Sequence, residues 1–501
     1  MNIYEKFKNQ EKFTKLAILA VIFGILLRFI IVFFVYPSGD SAWHLSAARF
    51  IAENNKMPMF EWLGRSVFWA PPVFHFTAAL LYKIFSVFGY EIAMKAMNFA
   101  TFLYGSLSLI LFCLFAKQFM SRKTAFYSTL FFTFIPLNIY YSTISHVEST
   151  ISFFALLSLY LLVKKRFYWA AIASGIGCLS KYSMFWMFPL LIYVLFREHF
   201  SKTIASFSRF IWKTAVFFFI TLVIGFPWYV RNLINLGNPV YHFLNGIFIK
   251  LGFHPYMSEA MINIPDYNIF RVDYFIKAYL DLFGVPLGLP SNLFSLKLPL
   301  MPLPVIGWVA LTAVFFVPLV IGLFSMKKGL LKNITLIWLI SFILMIITYL
   351  IPEHQMFLRL FLPAIPALAV LWGFGAERVF GFKMSSSLKG CFVILIALCI
   401  VVFSACEIFK AGVGASQYKV YGADFSWVKE NTPKSAVFYP YSIVLCYYLD
   451  RFVAVNYTSA DYYFESGLAG KREPVPEEAL ERDFEKVYEN KATEVMVYKK
   501  K

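Results

Sequence analysis

Along much of this chain, apolar runs long enough to cross a bilayer as helices alternate with short basic clusters, and no other feature narrows the fold as far. Inside hydrocarbon every backbone N–H and C=O must be bonded within the chain, so repeated runs of this length dictate a bundle of helices. Such runs fall near 16–35, 92–115, 124–142, 146–163, 168–181, 182–196, 211–228, 303–324, 333–351, 357–376 and 389–407, about eleven spans in all. The chain is 60% hydrophobic and only 15% charged, with a mean hydropathy of +0.66, which excludes an ordinary soluble domain. The expected fold class is a polytopic α-helical membrane protein.

The net charge of +18 arises from 46 Lys and Arg against 28 Asp and Glu. A surplus of this size on one face would suit nucleic acid. Here the basic residues fall between apolar runs, so they are read as topology and no nucleic-acid partner is expected. The run 73–88 is apolar but short and carries His75 and Lys83. If it does not cross, the clusters Lys117/Arg122/Lys123, Lys164/Lys165/Arg166, Arg197/Lys202/Arg209/Lys213, Lys327/Lys328/Lys332 and Arg378/Lys383/Lys389 share one side with Lys6, Lys8, Lys12 and Lys15. If it crosses, those five clusters land outside. The expectation is therefore a segment lying in or dipping into the outer leaflet, with a cytoplasmic N-terminus at the plasma membrane. The basic start followed by an apolar run, with no small-residue cleavage pattern after it, is read as an uncleaved anchor.

This orientation gathers the polar interruptions on the outer face: loop 36–91, the turn at His146–Glu148, the segment 229–302 and the turn at 352–359. Residues 1–410 form the expected transmembrane domain. From 411 to 501 the composition changes to short helical and strand-like stretches: helices at Phe425–Asn431, Ile443–Leu449 and Glu477–Asn490, strands at Ala436–Tyr439, Phe452–Asn456 and Glu494–Tyr498. The expectation is a small extracytoplasmic α/β domain. Asn456-Tyr457-Thr458 fits an N-glycosylation pattern. The six cysteines show no metal-ligand spacing, so neither a disulfide framework nor a zinc site is implied; no cofactor is assigned, and a divalent metal stays open.

Asp40 opens the first polar interruption, after Pro-Ser-Gly and before SAWHLSAARFIAEN. Two readings hold together: an N-cap on a short helix, and a carboxylate fixed at headgroup depth where a lipid-borne and a water-soluble substrate meet. His44, four residues on, shares its helix face, as a surface polar patch or half of a weak metal pair. Arg65 and Trp69 precede a stiff Pro71-Pro72 step, either as a helix-entry signal or with Arg65 on a phosphate. Lys181, between two short apolar runs, must snorkel to the interface or pair with an anion; Tyr182 beside it reads as an ordinary interfacial aromatic. Pro227 is expected to end a helix and leave Arg231 just outside the membrane, its fork suited to two phosphate oxygens. Arg359 heads an apolar helix, where a cation opposes the helix dipole and calls for an anionic partner. Glu353 and His354 precede it, and His146 and Glu148 fit either a substrate contact or a plain polar turn.

Taken in order, the Asp40 loop, Ala70-Pro71-Pro72, LSKYSMFWMFP, PWYVRNLINLGNPVY and EHQMFLRLFLPAIP resemble the GT-C class of membrane glycosyltransferases, in particular the branch of protein O-mannosyltransferases and the lipid A aminoarabinose transferase. The resemblance implies a polyprenyl-phosphate (dolichyl or related) sugar donor, transfer with inversion, and an acidic residue of the first outer loop beside the acceptor. It maps Asp40 onto that acid, and Lys181, Arg231 and Arg359 onto basic positions near the lipid phosphate or on the helix that walls the site. The protein mannosyltransferases carry two adjacent acids where this chain has Asp40-Ser41, and their long insert between late helices is absent, which disfavours a protein Ser/Thr acceptor.

The resulting expectation is a hexosyl- or pentosyltransferase in which Asp40 is general base. Arg231, Lys181, Arg359 and Arg65 bind the donor phosphate, and His44, Trp69, Glu148, Tyr229, Glu353 and His354 contact sugar or acceptor. The partners implied are a lipid-linked sugar donor, a glycan, lipid or protein acceptor, and membrane lipids. The alternatives are a polyprenyl-phosphate-sugar flippase or transporter, against which no inverted repeat is found, and a non-catalytic lipid-phosphate-binding relative.

Overall fold

The computed structural model describes residues 3–60, 67–241, 245–256, 316–348, 359–382, 385–440, 442–454, 456–469 and 474–501. Helix α1 (Ile3–Phe34) sets the pattern for the bundle. Ile18, Leu19, Ile22, Phe23, Leu26, Phe29, Ile30, Phe33 and Phe34 are exposed, while Ala17, Val21, Leu27 and Ile31 pack inward. The exposed set recurs every three to four residues, so an entire helix face is apolar and turned away from the core. That face suits lipid, and the chain is an integral membrane protein.

Helices α2 (Asp40–Asn54), α3 (Val73–Phe85) and α4 (Tyr90–Ala96) follow in the first loop, then α5 (Phe99–Phe119), α6 (Arg122–Phe134), α7 (Pro136–Tyr141), α8 (Glu148–Val163), α9 (Phe167–Cys178), α10 (Phe188–His199) and α11 (Ile204–Leu236). Among the described residues, four helical stretches are long and apolar enough to span a membrane: Glu11–Phe34, Tyr90–Phe119, Ile204–Leu236 and Leu362–Gly381. Shorter apolar helices include Glu148–Val163, Phe167–Cys178, Phe316–Ser325 and Leu330–Met345. Of the expected run 303–324, residues before 316 lie outside the described part.

Two local readings change. The run 124–142 is one apolar stretch in sequence, yet it breaks into α6 and α7, because Pro136 pushes Ile135 into extended backbone at ψ 125°. Pro227, by contrast, does not end its helix. Helix α11 runs through it to Leu236 and stops at Gly237, whose φ of 67° suits a residue without Cβ. A proline in a membrane helix is tolerated where neighbours re-satisfy the freed carbonyl. Arg231 therefore sits on the helix and not beyond its end.

The 365–381 helix packs closely on α6, where a Cβ at Gly373 would meet Ser128 and the backbone of Thr124. Small residues permit such approach between membrane helices. This contact anchors the segment that begins with Arg359. A long helix, Ser386–Lys419, then leads to the C-terminal part.

There the strands β1 (Val437–Tyr439), β2 (Phe452–Val453), β3 (Tyr462–Glu465), β4 (Phe484–Asn490) and β5 (Val495–Lys500) form a single sheet in the order β2-β1-β3-β5-β4. The first three are parallel; β5 runs antiparallel to both β3 and β4. The Gly422–Asn431 and Ile443–Leu449 helices match the sequence reading. The stretch 477–490 does not, since helix continues only to Asp483 and then becomes β4. Its antiparallel pairing with β5, from Phe484 opposite Lys500 to Asn490 opposite Val495, decides this, an interaction invisible to local charge pattern. Phe438, Leu445, Phe464 and Val497 share one core with Trp43, Ala47, Phe68 and Ala70 of the first loop. Arg49 of α2 is buried and pairs with Asp450 at 2.6 Å. The sheet domain thus clamps α2, the helix that begins with Asp40.

Candidate active site

Helix α2 begins after Gly39, whose φ of 52° turns the chain sharply, and no side chain caps its first turn. Asp40 is the first helical residue, so the capping reading is corrected. Its carboxylate is instead ion-paired with the Arg359 guanidinium. Arg359 Nε lies 3.6 Å from Oε1 of Glu148, the same oxygen that accepts from Lys181 Nζ at 2.5 Å. His146 Nδ1 stands 3.5 Å from the other Glu148 oxygen. Four charged groups from four separated stretches of chain therefore alternate in sign.

Each is aimed by its element. Glu148 is the first residue of α8, where the exposed amides of a helix start favour a negative charge. Lys181 interrupts two helical stretches in extended backbone, φ −165°, so neighbouring side chains diverge: Lys181 reaches Glu148, while Tyr182 turns toward Trp69. Lys181 accordingly pairs with an anion and does not snorkel. Exposure grades the cluster. The Glu148 side chain is 2% exposed, Arg359 15%, Lys181 17% and Asp40 41%, so Asp40 is its open end. Burial opposes ionisation of Asp40, but the neighbouring Arg359 charge overcomes this and holds its pKa below the usual carboxylate range. Glu148 Oε2, His146 Nδ1 and Arg359 Nε are buried without a hydrogen bond, leaving polar capacity unused at the centre of the cluster.

His44 is not on a surface patch. It is buried, with Nδ1 2.9 Å from Nε2 of His75, whose Nδ1 lies 3.0 Å from the Pro71 carbonyl. A carbonyl can only accept, so His75 donates through Nδ1 and takes the His44 proton on Nε2. Burial, reinforced by His75, keeps the His44 imidazole neutral, with its pKa well below the ordinary value. This chain of bonds ties α2 to the Pro71-Pro72 step and α3.

A second group forms around Arg231. Its guanidinium donates to the carbonyls of Phe68 at 2.8 Å and Pro58 at 3.4 Å and to Asn232 Oδ1 at 3.0 Å, and it lies 4.4 Å from the Trp228 ring. Trp69 enters this group through its backbone, its carbonyl accepting from Tyr182, Trp228 and Asn232. Tyr229 donates to the Cys178 carbonyl at 2.8 Å, holding α11 to α9. Among the described residues no carboxylate pairs with Arg231. Arg65, Glu353 and His354 lie outside the described residues.

Sequence reasoning passed over three members. Tyr182, read as an ordinary interfacial aromatic, joins the two groups; buried Asn232 bonds both Tyr182 and the Trp69 carbonyl; and His75 orients His44. Only the adjacency of Tyr182 to Lys181 and of Asn232 to Arg231 could have drawn attention to them. Among the described residues, no group of three or more His, Cys, Asp or Glu side chains is arranged to hold a metal ion, and both carboxylates of the cluster already face cations.

The fold is that of the GT-C class of membrane glycosyltransferases. Residues 70–229 match the family described as dolichyl-phosphate-mannose-protein mannosyltransferase. In structure the chain is similar to ArnT from Cupriavidus metallidurans in the apo state, with a TM-score of 0.62 at 12% identity over 96% of this chain and 97% of that one. It is similar to the same protein bound to undecaprenyl phosphate, with a TM-score of 0.58 at 12% identity and the same coverage. It also resembles the Archaeoglobus fulgidus oligosaccharyltransferase in complex with Zn and sulfate, TM-score 0.56 at 16% identity, covering 89% of this chain and 63% of that one. No curated protein matches the chain in sequence.

Proposed function

We propose that the protein is an inverting glycosyltransferase that moves a sugar from a polyprenyl-phosphate donor to an acceptor hydroxyl at the outer membrane face. The observation that carries this reading is a contrast of charge: a half-exposed carboxylate, Asp40, is held by Arg359 above a buried Glu148–Lys181 pair, whereas Arg231 is a cation that no described carboxylate neutralises. The GT-C fold supports a lipid-linked donor, as does the ArnT structure bound to undecaprenyl phosphate.

In this mechanism the acceptor hydroxyl gives its proton to Asp40 as its oxygen attacks the anomeric carbon from the face opposite the phosphate. The C–O bond to phosphate breaks with both electrons, the configuration inverts, and the polyprenyl phosphate leaves as an anion that needs no proton. Arg231 meets the negative charge growing on the leaving oxygen. Its bonds to carbonyls orient the guanidinium without cancelling its charge. Lys181 acts from the buried side, where Glu148 fixes its position, and Arg359 sets the direction of the Asp40 carboxylate. The Trp69 and Tyr229 rings both pack against Tyr182, and in this mechanism they contact the sugar or the acceptor.

The test supplies purified full-length protein with radiolabelled lipid-linked sugar and a membrane extract as acceptor. Label moving to an acceptor in wild type, and not in Asp40→Asn, is the expected result. Label that crosses a vesicle without transfer would establish a flippase instead, and label retained without transfer would establish a binding protein.

A further inference from the structure

Behind the Asp40 turn lies a cavity of about 360 Å³ that the mechanism does not use. Its floor is the segment just after α1, Val35–Pro37. Its sides are α4, the end of the 386–419 helix and the helices Gly422–Asn431 and Ile443–Leu449 of the sheet domain. The apolar outward face of α1 ends at Phe34, one residue before this floor, so the cavity opens at the depth of lipid headgroups.

Two features define what it can hold. The walls carry three ammonium groups, Lys95, Lys419 and Lys429, against a single carboxylate, Glu91, and none of the three forms an ion pair with a described carboxylate. Lys429 is half-buried above the Tyr90 ring at 4.8 Å. Burial lowers its pKa, and the Glu91 and Asp450 carboxylates offset this only in part. Opposite stands a ladder of flat rings: Tyr36 on Tyr418 at 6.2 Å, Tyr418 on Tyr448 at 5.0 Å, and Tyr448 on Phe425 at 5.0 Å. Tyr448 also donates to the Pro37 carbonyl at 2.9 Å.

Asn98 separates the cavity from the Asp40 cluster. It bonds Ser145 Oγ at 2.6 Å and the Val35 carbonyl at 3.4 Å, one residue before His146 and five before Asp40. The cavity is thus a neighbour of the active site with its own walls.

We propose that this cavity is a second binding site for one phosphate-bearing headgroup, its anion on Lys95, Lys419 and Lys429 and its organic part along the tyrosine ladder. An occupant would touch α4 of the membrane bundle and two helices of the sheet domain at once, and so would hold that domain down on α2. The chemistry fits either the headgroup of an anionic lipid or a soluble organic phosphate, and the test separates them.

Full-length protein in neutral detergent is titrated with a short-chain phosphatidylglycerol, with short-chain phosphatidylcholine and with glycerol phosphate, reading binding by calorimetry and the midpoint of thermal unfolding. Saturable binding of phosphatidylglycerol but not phosphatidylcholine, with a raised midpoint, is expected for a lipid source; equal binding of glycerol phosphate identifies a soluble one. Each lysine replaced by alanine should weaken binding roughly fivefold, from about 1 kcal/mol per basic residue near an anionic lipid. Replacing Lys117, Lys164 and Lys165, outside the cavity, should leave binding unchanged. If the triple Lys95/Lys419/Lys429 alanine variant does not fold, Lys95→Ala alone, on an exposed side chain, carries the comparison. Absence of binding by both phosphates, or binding that the cavity variants leave intact, overturns the proposal. Neither readout depends on sugar transfer, so the result stands apart from the catalytic reading.

Discussion

Two groups of polar residues are linked through Lys181 and Tyr182, neighbours in the chain, and they handle charge in opposite ways. In the Asp40 cluster each carboxylate faces a cation: Asp40 with Arg359, Glu148 with Lys181. Around Arg231 the partners are carbonyls, an amide and an indole ring. Paired charges with few neighbours to spare hold geometry; a cation oriented by neutral dipoles keeps its charge for something that arrives. The comparison teaches that a basic residue's partners, more than its presence, indicate whether it organises the protein or awaits a ligand.

Four measurements break or sharpen this contrast. Replacing Asp40 by Asn keeps shape but removes the base, and kcat should fall by about 10²–10⁴-fold with donor binding retained. Near-normal transfer by this variant would remove Asp40 from the mechanism. Glu148→Gln leaves Lys181 without its partner in a buried site, which should cost about 3–5 kcal/mol of stability. A thermal-unfolding midpoint equal to wild type would mean that Glu148 does not hold the cluster together. For Arg231→Ala the expected loss is about 2–4 kcal/mol in the barrier, seen in kcat/KM, with little change in unfolding. If the unfolding midpoint drops and the rate does not, Arg231 belongs with the organising charges.

The smallest effect concerns pH. A lowered pKa favours the ionised carboxylate of Asp40, so stability from its pair with Arg359 is fully present above the usual aspartate value of about 3.9 and is lost as pH falls through the lower folded value. The acid limb of kcat/KM should accordingly lie below about pH 4 in wild type and move upward in Arg359→Leu. An unmoved limb would mean that the limb reports another group.

Much of the fold was legible because its signals are local. The apolar face of α1 and the helix at Ile443–Leu449 follow from residues within a few turns of one another. The errors share a cause as well. Whether Pro227 ends a helix depends on what re-satisfies the freed carbonyl, and whether 484–490 is helix or strand depends on β5 beside it. At the site, Asp40, Lys181, Arg231 and Arg359 stood out as charges at the edges of apolar runs, where an ionised group needs a reason. Tyr182, Asn232 and His75 did not, since such residues are common at those positions and gain meaning only from the groups they bond.

By itself, then, the amino-acid sequence determined that this chain enters a membrane, that its polar breaks hold charged residues at the edges of apolar runs and that an α/β segment follows, because hydrophobic length and periodicity act over neighbouring residues. Only the tertiary structure decided which charges pair. Asp40 and Arg359 stand 319 residues apart, and nothing short of the packing of α2 under the sheet domain and of the 365–381 helix on α6 could bring them together.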